Sequence, residues 1–118
     1  MSTVISAEQI NHFRDELKDS PEAIAVLDVI ENECEGYLED AVMLLMIREA
    51  DQEPDRALDF DEIADRCRPI ICADSTKTII EIANALTGLL GPFGVAIAIV
   101  ILIANKYGLE NFCKTPNP

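Results

Sequence analysis

The densest pattern of oxygen donors in the chain lies between Asp51 and Glu62. Asp51, Glu53, Asp55 and Asp59 stand at the first, third, fifth and ninth of twelve places, and Glu62 closes the twelfth. Carboxylates at that spacing can wrap a hard cation such as calcium, with the last glutamate offering both oxygens. Four cysteines, Cys34, Cys67, Cys72 and Cys113, are the second group capable of chemistry. They contain no Cys-x-x-Cys pair, and four residues separate Cys67 from Cys72, so zinc would have to recruit Cys34, Cys113 or the single histidine, His12. The plainer expectation is reduced, buried thiols that act as small apolar side chains.

With Leu58 at the eighth place, the acidic stretch resembles an EF-hand calcium loop, over these twelve residues and their flanking helical segments only. The resemblance implies ligation by Asp51, Glu53, Asp55, Asp59 and Glu62. Two positions depart from the family pattern. Arg56 replaces the glycine of the sharp turn and puts a positive charge beside the ion, and Pro54 stands where EF-hands carry a flexible residue. There is also no second loop to pair with. No metal and no other cofactor is therefore assigned, and the loop is expected to be a solvated connection in which Asp59 and Glu62 cap the next helix. His12, near Asp15 and Glu16 on a polar helix face, reads as a surface residue. Glu39-Asp40 and Asp61-Glu62 read as solvated faces, and no phosphate-binding glycine loop or nucleophile motif occurs, so no enzyme is expected.

Charge is distributed unevenly along the 118 residues. Residues 1–75 hold 20 Asp and Glu against 6 Lys and Arg, whereas residues 76–118 hold 2 against 3. A net charge of -13 repels nucleic-acid backbones and anionic headgroups and favours a protein partner with a basic surface, or self-association. The first residues lack the basic and apolar regions of a signal peptide, which places the N-terminal region in the cytoplasm in this reading.

Apolar residues recur at three- and four-residue intervals throughout, so the fold class is all-α: a small acidic helical bundle with a C-terminal hydrophobic helix or helical hairpin. Ser6 and Gln9 open a first helix with Ile10, Phe13 and Leu17 along one stripe. Ser20 and Pro21 start a second, lined by Ala23, Val26, Leu27, Ile30 and Cys34 and interrupted at Gly36. A third, Tyr37 to Ala50, carries so many apolar residues that it is expected at the centre of the core. The next begins at Asp59 and yields near Pro69, and Ser75 is expected to cap the hydrophobic segment. The boundaries are 1–75 for the acidic module, 76–107 for the hydrophobic segment and 108–118 for the tail.

Between Glu81 and Lys106, the 24 residues Ile82 to Asn105 carry no charge. A bilayer span needs roughly 20 apolar residues. Gly91-Pro92-Phe93-Gly94 divides the run near its middle, either as a turn that makes a hairpin or as a kink in one long helix. Ala83, Thr87 and Gly91, with Gly88 after Asn84, place small residues four apart, and together with Pro92 and Gly94 they form a candidate helix-packing or interaction face. Residues 1–75 would make a scant shell for a second half that is apolar all round. The expected function is accordingly a small non-enzymatic regulatory or effector protein that works by protein–protein interaction. It would be membrane-associated through its C-terminal segment, at the inner face of a membrane. The alternative is a soluble homo-oligomeric all-helical adaptor or inhibitor with residues 95–104 as a buried core helix.

Overall fold

The computed structural model describes residues 3–50, 60–73 and 78–114. Among them the chain forms seven α-helices and no strand: α1 (Ala7–Glu16), α2 (Pro21–Asp28), α3 (Leu38–Ala50), α4 (Phe60–Ile71), α5 (Ile79–Leu90), α6 (Phe93–Lys106) and α7 (Leu109–Lys114). The protein is all-α, as its periodicity requires.

Local signals set the first helix starts. The Ser6 hydroxyl accepts the Gln9 amide, and the Gln9 side chain accepts the Ser6 amide, a complete capping box. Ser20 caps α2 through the Ala23 amide, with Pro21 at the first helical position, where its missing N–H has no partner to lose. Ala23, Val26, Leu27, Ile30 and Cys34 are all buried, on the one stripe that their spacing predicts.

After α2 the chain widens into an underwound π turn, Val29–Glu33, closed by Cys34 N–H donating to the Val29 carbonyl five residues back. It then reverses through Glu35 and Gly36, both with left-handed backbone. Gly36 also has to be small, because a Cβ there would sit 2.8 Å from the Ile5 carbonyl oxygen. This close approach lets the N-terminal strip pair with the reversal: Ile5 N–H donates to Gly36 O and Leu38 N–H to Thr3 O, with Glu39 accepting both the amide and the hydroxyl of Thr3.

Two expectations about helix ends change. α4 continues through Pro69 to Ile71, because Ile71 and Cys67, one turn apart, are both buried and Cys72 N–H closes the last turn on Arg68 O. Ser75 lies outside the described residues, and the cap of α5 is Thr78, paired with Glu81 in a second capping box. The spacing Thr-x-x-Glu announces it in the sequence.

The tetrapeptide Gly91-Pro92-Phe93-Gly94 makes a turn, not a kink. Gly91 closes α5 with φ +91°, a conformation open to glycine, and α6 departs at 117° to α5. No single helix among the described residues is long and apolar enough to cross a membrane. α6 packs against α5, α3, α2 and α7, so every residue from Gly94 to Ile103 is buried. The centre of the core is therefore α6 and not α3, which buries Leu38, Ala41, Val42 and Leu45 but leaves Ile47 exposed.

Candidate functional site

Of the proposed calcium ligands, Asp51, Glu53, Asp55 and Asp59 lie outside the described residues. Glu62 is exposed in the first turn of α4, where a carboxylate is favoured by the helix dipole. Its neighbour Asp61 is committed elsewhere. It accepts the Tyr107 hydroxyl and pairs with Lys106 Nζ at 3.2 Å, tying the start of α4 to the end of α6. The Tyr107 hydrogen bond, then Lys106, holds the Asp61 carboxyl below the usual carboxylate range.

The four cysteines separate into two kinds. Cys34 and Cys67 are buried free thiols, as their small apolar character suggests. Burial pushes Cys67 up to about 11, and burial with Asp40 and Glu33 nearby raises Cys34, so both stay protonated and neither is an activated nucleophile. Cys72 and Cys113 are a disulfide, with Cα atoms 5.5 Å apart and a sequence separation of 41. This corrects the expectation of four reduced thiols. Folding back α5 and α6 returns the end of α7 to the end of α4, a juxtaposition that spacing along the chain does not disclose.

Around that bond lies the densest chemistry among the described residues. Arg68, one turn before Cys72, lies over the Phe112 ring at 4.0 Å from its centroid and donates to the Phe112 carbonyl. It also reaches Asp65 Oδ1 at 3.2 Å. Phe112 is buried and packs against the Tyr107 ring at 5.6 Å. α7 is thus fixed to α4 by one aromatic anchor, one guanidinium and one covalent bond.

The small-residue face is divided. Ala83 is buried, and Thr87 is half-buried with its hydroxyl on the Asn84 carbonyl. Gly88 and Gly91 are exposed with open space where a Cβ would stand, and Pro92, half-buried, precedes α6. Gly94 is buried under the Glu49 side chain, whose carboxylate occupies the space a Cβ would take. Burial, with Glu22 nearby, raises the Glu49 carboxyl above its ordinary value.

His12 is 78% exposed and 3.9 Å from Glu16, in keeping with a surface residue. It borders a groove of about 280 Å³ with Glu8, Phe13 and Asn105. No group of three or more His, Cys, Asp or Glu positioned to hold a metal occurs among the described residues. No protein-family model matches the chain, and no curated protein or solved structure does either.

Proposed function

We propose that this protein is a small non-enzymatic regulatory or effector module that acts by protein–protein interaction, presenting an acidic surface to a partner with a basic one. The observation that carries the proposal is the enclosure of α6, buried from Gly94 to Ile103 by helices of its own chain. With the most apolar helix occupied internally, charge is what the molecule presents outward. Arg14 is engaged by Asp28 and Glu31, Arg48 by Glu33, and Lys106 by Asp61. Much of the positive charge is thereby spent inside the molecule, and Glu8, Asp15, Glu16, Asp19 and Glu22 lie exposed along α1 and the start of α2. Such a field speeds association with basic surfaces and repels nucleic acid.

A second function has one observation in its favour. Together α5 and α6 have the length and composition of a span, although bent at their junction. In that version the hairpin leaves the bundle for lipid, with the N-terminal region on the cytoplasmic side. Detergent-free size exclusion with light scattering, followed by liposome flotation, separates the two. A monodisperse species that stays with the aqueous fraction is expected, its mass reporting whether copies self-associate. Recovery only in detergent, or flotation with vesicles, would transfer the proposal to the membrane version.

A further inference from the structure

The Cys72–Cys113 bond closes a covalent loop that contains all of α5 and α6, and its two ends differ in exposure. Cys72 is half-buried at the end of α4, whereas Cys113 is exposed in the last turn of α7. Without the bond, the short α7 is held through buried Phe112 with its Arg68 contacts and through Leu109, which packs half-buried against the core. A six-residue helix has little stability of its own, since nucleation is costly and few intrahelical bonds offset it. By contrast, the contacts of α6 with α2, α3 and α5 do not pass through α7.

We infer that the Cys72–Cys113 disulfide is a thiol-responsive clasp that holds α7 as a lid over the α4–α6 junction, and that its reduction releases the lid while the rest of the bundle stays folded. The co-reactant is a thiol of the glutathione class. Its thiolate attacks Cys113 Sγ, and Cys72 Sγ departs with the electron pair of the broken bond and takes up a proton. A second thiol then displaces Cys113 as a thiolate, which is protonated in turn, leaving two protein thiols and one oxidised co-reactant. Cys34 and Cys67, buried and protonated, take no part. Release of α7 uncovers the site of Phe112 beside Tyr107 and Arg68. The clasp rests on the disulfide and the packing of α7, and holds or fails independently of the proposed docking function.

The test compares the full chain oxidised, reduced with excess glutathione, and as the Cys72→Ser/Cys113→Ser double variant, by backbone NMR relaxation. Expected is a fall of the order parameters of residues 109–114 below about 0.6 in the reduced and variant forms, with those of Val95–Ile103 staying near about 0.85. Binding of a hydrophobic dye should rise in the same two forms, and oxidised glutathione should reverse both changes in the wild type only. A rigid α7 in the reduced chain would overturn the clasp, as would loss of the whole native spectrum in both forms, which would make the bond a support of the entire fold. A bond that survives excess glutathione in the folded protein would overturn it as well.

Discussion

α5 and α6 lie side by side and come from one stretch of chain, yet they meet water differently. α5 buries Ile79, Ile82, Ala83 and Leu86 and leaves Asn84, Ala85, Gly88 and Leu89 exposed, whereas α6 buries each residue from Gly94 to Ile103. Composition alone does not separate them. The number of neighbours does, because α5 is a wall with one inner face and α6 has helices around it. α5 also begins with a capping box that satisfies amides at its start, while α6 begins at Pro92 with no side-chain cap and depends on packing.

The largest test of that contrast places a carboxylate on each helix. Ile101, 0% exposed, has no route to water, so Ile101→Asp should cost at least about 4 kcal/mol and leave little folded protein by circular dichroism. Leu89, 38% exposed on α5, should accept the same aspartate within about 0.5 kcal/mol in urea melts. Equal losses would mean that the outer face of α5 is covered, and so would break the comparison.

Next in size is the bond that frames both helices. In the chain-entropy account, a loop of 41 residues contributes about 4 kcal/mol by restricting the unfolded state. The double serine variant should therefore melt on the order of 10 °C lower by calorimetry. A smaller effect is expected at the start of α5, where Thr78→Ala removes the cap and should cost about 1 kcal/mol in chemical denaturation.

The smallest effect sharpens the picture at the start of α6. Burial raises the Glu49 carboxyl, so the folded state holds its proton more tightly than the unfolded chain does. Its charged form therefore subtracts stability at neutral pH, and that loss is recovered as pH falls through the raised folded value toward the ordinary 4.5. Glu49→Gln should stabilise slightly at pH 7, and the gain should vanish below 4.5, as read from urea midpoints at both pH values. Asp61 has the opposite sign: its stabilisation is present above 3.8 and is lost as pH falls through its depressed folded value. Asp61→Asn should remove that acid-side loss.

Legibility followed the range of the interaction. The caps at Ser6 and Ser20 and the stripe from Ala23 to Cys34 are written in residues three and four apart, and each was readable. The Thr78–Glu81 box is equally local, three residues beyond Ser75. Gly36 marks the reversal locally, whereas the π turn before it and the pairing of Gly36 with the N-terminal strip at Ile5 have no nearby signal. The same holds for the site around α7, where Arg68 meets Phe112 across 44 residues. The acidic stretch 51–59 lies outside the described residues, which leaves only Glu62 of its candidate ligands placed.

By itself the sequence determined an all-helical chain, its acidic character and the position of its apolar run, because periodicity, capping and charge are properties of neighbouring residues. Tertiary structure alone decided three things: that Gly91-Pro92-Phe93-Gly94 turns, that α6 is the enclosed helix, and that Cys72 meets Cys113. The tetrapeptide allows either a turn or a kink, and packing selects between them. A shell that looked scant when counted over residues 1–75 is adequate because α5, from the hydrophobic segment itself, forms one of its walls.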